Sequence, residues 1–412
     1  MNILHIVPYF YPAWAYGGTP RVVFELCREL VKKGHNVTVY TTDVFDKHKR
    51  VEEKSTPPCP PLTKRGNYRE GEVEGLALSE VEGIKIKYFK NISNSLAFNQ
   101  KVFISPAISK ALKKNLKQFD MVHLHEFRTL QNAAAYKYLT KYKIPYILSA
   151  HGSVLRLMGK EFLKMLFDKS IGFKILKSAK RVIAVSNIEV EQYIKMGVER
   201  DRISLIPNGI NISEFENADK VKGNFRRAYK LSDKKILLFI GRLNAIKGID
   251  FLLNTFAILT KDIKDTILVI AGPDDGYKSE IESRINLLKI NDKVLLIDGL
   301  YGEDKISAMK DADMFIYPSR HEIFGIAPLE ALICGTPVIV TENCGCADFL
   351  REANGGIVVK YQDISGLLDS IQNILDKKEE AKKLASNGME LVQRQFNWDE
   401  ITKDMIKLYK TS

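Results

Sequence analysis

Short strand-length runs, most of them apolar through their length and most followed by a helix-length stretch, recur along most of the chain, and they break off and restart once. The first series is residues 2–8 (NILHIVP), 36–42 (NVTVYTT), 84–89 (IKIKYF), 121–126 (MVHLHE), 145–152 (PYILSAHG), 181–186 (RVIAVS) and 203–210 (ISLIPNGI). KILLFIG, TILVIAG, KVLLIDG, DMFIYPS and PVIVTEN form the second. A strand that is apolar along its length is buried on both faces, which happens when helices cover a parallel sheet. The pattern therefore predicts an α/β chain with two Rossmann-like, doubly wound parallel-sheet domains, and 412 residues suit two domains.

The expected divisions follow from where the pattern holds. Residues 1–211 form the first domain and 234–395 the second. Between them, residues 212–233 mix charge with little periodicity and read as a linker. A last helix falls within 396–412. Inside the first domain, residues 46–83 are rich in Pro, Gly and charge and read as a flexible insertion with no identifiable chemistry.

Bulk properties restrict the partners. A net charge of +12 suits nucleic acid, an anionic lipid surface or a phosphate-rich ligand. No basic run is interleaved with aromatics, so nucleic acid is not expected. Residues 105–118 (SPAISKALKKNLKQ) read as an amphipathic helix packed on the sheet, with Lys110, Lys113, Lys114 and Lys117 on its solvated face. That face also suits peripheral contact with an anionic membrane. Five scattered cysteines fit a reducing compartment. With no basic leader and no apolar run of membrane-spanning length, a cytoplasmic protein is expected, peripheral at most on the inner face of a membrane.

In open α/β sheets ligands bind beyond the carboxyl ends of strands. Gly17, Gly18, His151, the Gly241–Lys247 stretch, Gly272 and Glu322 all fall just after expected strands. The absence of G-x-G-x-x-G after the first strand argues against a nicotinamide dehydrogenase. Residues 321–332 (HEIFGIAPLEAL) set Glu322 on a loop and Glu330 in the first turn of a helix opened by Pro328, with Phe324 and Gly325 at the bend. A helix start presents free N–H groups to an anion, and a carboxylate can grip a vicinal diol. Phosphate flanked by two diol clamps describes a nucleotide-sugar site; the plainer reading is that both glutamates are solvated, as most are. Arg242 and Lys247 supply charge for a diphosphate. His123 and His125 share a strand face, but no third metal ligand is evident. Asp311-Ala312-Asp313 precedes its strand and reads as structural, so no metal and no cofactor is expected.

The pair Glu322 and Glu330, eight residues apart with Phe324-Gly325 between, resembles the E-x7-E signature of family 4 glycosyltransferases. G-R-L-x-x-x-K-G from Gly241 to Gly248 is similar to the family's diphosphate-binding motif, and Ala271-Gly272-Pro273 and His151-Gly152 also match. The resemblance implies a GT-B fold, with two domains facing a central cleft that close over the donor and a last helix crossing back to the first domain. It implies retaining transfer of a hexose from a UDP- or GDP-sugar, a substrate rather than a cofactor, to a glycan or lipid-linked acceptor held by the first domain, in cell-envelope polysaccharide synthesis. Glu330 would grip the ribose, Arg242 and Lys247 the diphosphate and Glu322 the hexose, with His151 near the transferred sugar. The chain departs from the family where a Gly-Gly pair and Glu commonly follow PVIV: it has Cys344, Gly345, Cys346, Ala347 and Asp348, which leaves the donor open. A UDP-GlcNAc 2-epimerase-like enzyme and a non-catalytic nucleotide-sugar-binding protein are the alternatives.

Overall fold

A computed structural model describes residues 1–47, 49–51, 76–155 and 161–412 of the chain. It divides into two compact units, Met1–Gly209 with Trp398–Ser412, and Ile210–Asn397.

The first unit is built on an eight-stranded sheet of β1 (Asn2–Ile6), β2 (Asn36–Thr42), β3 (Leu76–Val81), β4 (Ile84–Phe89), β5 (Met121–His125), β6 (Tyr146–Ser149), β7 (Arg181–Ala184) and β8 (Ile203–Leu205). Their order is β3-β4-β2-β1-β5-β6-β7-β8. Every pairing is parallel except that β3 runs antiparallel to β4. The strand β3 lies within the stretch 46–83 that reads as a flexible insertion. LALSEV closes a hairpin through Glu82 and Gly83, both at positive φ, and an edge strand with one neighbour needs no wholly apolar sequence. The remainder of that expectation, at residues 48 and 52–75, lies outside the described residues. In the helix Pro106–Asn115 and the 3-10 turn Leu116–Gln118 that follows it, Ile108, Leu112 and Leu116 are buried and the four lysines of the predicted basic face are exposed, as amphipathic packing on a sheet requires.

The second unit carries six parallel strands, β9 (Lys235–Ile240), β10 (Thr266–Ala271), β11 (Val294–Ile297), β12 (Met314–Tyr317), β13 (Val338–Thr341) and β14 (Ile357–Val359). Their order, β11-β10-β9-β12-β13-β14, reverses direction between β9 and β12. In the first sheet the corresponding reversal lies between β1 and β5. Loops diverge at such a switch point and leave a crevice at the carboxyl ends. The residues Ile236 to Phe239 of β9 are wholly buried, each side chain contributing about 1.5–3 kcal/mol. Burial on both faces is why these strands show no alternation.

Residues 212–233 are not a bare linker. They form two 3-10 turns and the helix Asn224–Ala228, all within the second unit. The charges that suggested a linker have partners: Asp311 accepts hydrogen bonds from the backbone N–H of Gly223 and Arg226, and Asp313 from Ile236 N–H and the Arg226 guanidinium. Both carboxylates of D-x-D are therefore engaged in holding this segment.

Residues Trp398–Ser412 belong to the first unit. The helix Trp398–Thr411 lies by the helix Gly18–Lys32, with Lys33 paired to Asp399 at 2.5 Å and the Tyr409 hydroxyl 2.8 Å from His123 Nδ1. No helix among the described residues is long and apolar enough to cross a membrane.

Candidate glycosyl-transfer site

The loops after β9 and β10 are stitched together by backbone hydrogen bonds from Leu243 to Pro273 and from Asp275 to Leu243. Gly241 and Gly272 make this possible by their shape. A Cβ on Gly272 would sit 1.8 Å from the Gly241 carbonyl oxygen. Their own N–H groups donate to Ala271 and Ile297, so neither is a free donor for a ligand. The stitched loops hold Arg242 against Asp275 at 2.7 Å, and Asn244 Nδ2 reaches the same carboxylate oxygen at 3.0 Å. Asn244 also caps the turn Ala245–Lys247, which turns Lys247 inward until it is 7% exposed.

Lys247 meets Glu322 across the β9/β12 switch point. Its ammonium donates to Glu322 Oε2 and, at 2.6 Å, to the Tyr317 hydroxyl, which itself donates to Glu322 Oε2 at 2.9 Å. Lys247 Nζ also lies 5.0 Å from the Tyr317 ring centroid, a cation–π contact. Burial alone would push the Glu322 carboxyl up, but the Lys247 charge and hydrogen bond, the Tyr317 hydroxyl and the more distant Arg242 charge hold it below the usual range. Two of the three ammonium protons of Lys247 are thus used, leaving one for a further acceptor.

The turn after β12 differs in detail from the sequence reading. Gly325 is the N-cap at φ +89° and the helix is Ile326–Ile333, so Pro328 is its third residue and Glu330 stands in the second turn. Proline fits there because the first four helical N–H groups have no partner within the helix. A Cβ on Gly325 would lie 2.5 Å from Cys344 Sγ, and that φ is the left-handed conformation glycine adopts without strain. The loop 322–324 is tied to 343–346 by Glu322 N–H to Asn343 O, Gly345 N–H to Glu322 O and Cys346 N–H to Phe324 O. Phe324, expected at the bend, is 2% exposed, and its ring packs edge-on against Phe396 with centroids 5.7 Å apart, so it anchors the loop from beneath. Glu330 does not join the Lys247 group. It pairs with Lys305 at 2.7 Å, from the helix Gly302–Asp311.

In the first unit, Gly17 caps the helix Gly18–Lys32 at φ +108°, and a Cβ on Gly17 or Gly18 would meet nothing within 4 Å. Thr19, the second residue of that helix, and Tyr9, in the loop after β1, donate to Glu126 Oε1 at 3.1 and 2.7 Å, joining the helix start and that loop to the residue after β5. His151 follows β6 at φ +49°. Its turn is held by Glu189, which accepts from Gly152 N–H at 2.7 Å and from Val185 N–H at 2.9 Å. Burial pushes the Glu189 carboxyl up to about 7 against the pull of those two bonds.

Glycosyltransferase Family 4 matches residues 16–214, and Glycosyl transferases group 1 matches residues 221–391. The chain belongs to the family 4 glycosyltransferases. It is 26% identical to an uncharacterized glycosyltransferase of Methanocaldococcus jannaschii over 80% of this chain and 85% of that one. With a D-inositol 3-phosphate glycosyltransferase of Geodermatophilus obscurus it shares 24% over 95% of this chain and 84% of the relative. Among solved structures, Anabaena HepE in complex with UDP superposes with a TM-score of 0.76 at 16% identity, covering 100% of both chains, which shows the GT-B fold.

Of the residues expected in this glycosyltransferase, the structure brings Arg242, Lys247 and Glu322 into one electrostatic group. It sets Glu330 in a separate pair with Lys305. The sequence reading missed Tyr317, Asp275, Lys305 and Glu189. Tyr317 was accessible, since it is the last residue of an apolar strand at the switch point. Lys305 and Asp275 needed knowledge of which loops lie side by side. Glu189 carried a local sign, because Ser186 and Glu189 have the spacing of a capping box.

Proposed function

We propose that this glycosyltransferase moves a hexose from a UDP- or GDP-sugar, with retention at the anomeric carbon, to a glycan or lipid-linked acceptor in cell-envelope polysaccharide synthesis. The observation that carries this reading is the Lys247–Tyr317–Glu322 cluster at the β9/β12 switch point, with Arg242 beside it. Cleavage of the bond between the anomeric carbon and the diphosphate puts charge on the leaving oxygen. The remaining Lys247 proton and the Arg242 guanidinium stabilise that charge, and more so in the transition state than before it. Glu322, kept ionised by Lys247, accepts hydrogen bonds from hexose hydroxyls. Glu330, with Oε1 held by Lys305, keeps Oε2 for the ribose diol.

The acceptor attacks from the face the diphosphate leaves, and a departing phosphate oxygen takes its proton. Anabaena HepE has been solved with UDP and with UDP-glucose, which favours UDP as the nucleotide here. The exposed lysines of the helix Pro106–Asn115 suit an anionic inner membrane face, at about 1 kcal/mol for each lysine near the surface.

The test is transfer from UDP- and GDP-hexoses to a lipid-linked glycan acceptor, with the anomer of the product read by NMR. Retention is expected, and an inverted product would overturn the mechanism. Activity is also expected to survive EDTA, because Lys247 and Arg242 take the role of a divalent ion and Asp311 and Asp313 are engaged elsewhere. A strict Mg²⁺ requirement would contradict that assignment.

A further inference from the structure

Beneath the His151 turn runs a row of buried imidazoles that the proposed transfer does not by itself require. His5 Nδ1 lies 2.9 Å from His125 Nε2, and His125 Nδ1 lies 3.0 Å from His151 Nε2. The row follows from strand geometry. His123 and His125 are two apart on β5 and share a face, His5 is in register with His123 on the adjacent β1, and His151 lies two residues beyond Ser149, which ends the adjacent β6 in register with His125. His123 packs on His125 with ring centroids 4.0 Å apart and uses both of its nitrogens, on the Tyr409 and Ser149 hydroxyls.

Ring nitrogens of His5, His123 and His125 lie within 4.8 Å of one another, a spacing that suggests a metal. The contacts argue for hydrogen bonds instead. His5 and His125 face each other at hydrogen-bond distance, and His123 has no nitrogen to spare. Burial lowers the basicity of all the rings, to about 3 for His5 and about 4 for His151, so each is neutral near pH 7.

A neutral imidazole has one N–H and one lone pair, so the direction of one bond in the row sets the direction of the next. Two arrangements exist. In one, His5 donates to His125 and His125 donates to His151, leaving a bare lone pair at His5 Nε2. In the other, every bond is reversed and His5 Nε2 carries an N–H. That nitrogen is buried and has no hydrogen-bond partner. An orphaned buried N–H is the rarer case in folded proteins, which selects the first arrangement.

We infer that His5 and His125 are positioning residues that hold His151 as its Nδ1–H tautomer, so that the free edge of the ring donates a hydrogen bond to an oxygen of the substrate. His151 Nε2, occupied by His125, is then not available as a base toward the acceptor hydroxyl. This agrees with a proton that leaves on the phosphate. Glu189 holds the backbone of the same turn, so ring and backbone are restrained separately. The tautomer is independent of the proposed function; the substrate contact rests on it.

The test uses the full chain labelled with ¹⁵N-histidine, whose seven histidines give a resolvable long-range ¹H–¹⁵N spectrum. The signal missing in His151→Asn assigns His151. The expected result is a protonated Nδ1 and an unprotonated Nε2. His125→Leu is expected to move the proton to Nε2 and lower kcat about tenfold with a smaller change in donor KM. His125→Gln, whose amide can donate to Nε2, is expected to restore the Nδ1–H form and most of kcat. A wild-type His151 protonated on Nε2 overturns the inference. So does a tautomer shift in His125→Leu with unchanged kcat. Full activity in His151→Asn would instead remove the substrate-facing role assigned to that residue and leave the tautomer finding intact.

Discussion

Lys247→Ala is expected to lower the transfer rate by about 10²–10³, the effect of deleting one preorganised donor to developing charge, while the protein still folds. The stability cost is expected to be about 2–3 kcal/mol, because Glu322 keeps its Tyr317 hydrogen bond but loses the ammonium that keeps it ionised in a buried place. Its sign with pH is specific. In the wild type the Glu322 carboxyl titrates below its unfolded value, so the stabilisation it brings is complete above that value and is lost as pH falls through the folded one. In Lys247→Ala, burial, the largest influence on this carboxyl, loses its main opponent, and the carboxyl is expected to titrate higher than in the wild type. The gap in stability between the two proteins should therefore be full at neutral pH and narrow below about pH 4. Denaturant titrations at pH 7 and pH 4 read this directly. A gap that stays constant with pH would mean that Lys247 stabilises through something other than Glu322.

The second large effect is on the fold. Gly272→Ala puts a Cβ 1.8 Å from the Gly241 carbonyl oxygen, and the obstacle is backbone on the neighbouring strand end, not a side chain that can rotate away. Relief requires parting the ends of β9 and β10, with loss of the bonds Gly241 N–H to Ala271 and Leu243 N–H to Pro273 that carry Arg242. A cost of about 4 kcal/mol or more is expected, enough to leave little folded second unit. Gly276→Ala is the contrasting case on the same loop, where a Cβ meets nothing within 4 Å and only the positive φ is strained. Circular dichroism melts of the two variants compare them. Equal melting temperatures would show that the close approach at Gly272 does not constrain the fold.

How far the sequence could be read follows from which interactions are local. Both sheets were legible because a strand buried on two faces must be apolar throughout, as in KILLFI and MFIY, and helices of the right length separate them. The diphosphate loop was legible because G-R-L-x-x-x-K-G is contiguous. What escaped was set by tertiary contact. Residues 212–233 look like a linker until Asp311 and Asp313, far along the chain, take up Gly223 and Arg226. The packing of Phe324 on Phe396, much later in the chain, is likewise invisible in the sequence. The pairing of Glu330 with Lys305, and of His125 with His5 and His151, depends on strand order, which a single sequence leaves open.

The central claim is that the cations beyond β9 bind the diphosphate of a nucleotide sugar. Its most direct test is the thermal shift of the full chain with UDP, GDP and ADP, wild type against Arg242→Ala/Lys247→Ala. At 100 times its Kd, a nucleotide that binds only the folded state adds about 2.7 kcal/mol and raises Tm by about 5 °C or more. The account predicts that shift for one of the three nucleotides in the wild type and its loss in the double variant. A shift of the same size in both proteins, or none in the wild type with any of the three, would contradict it.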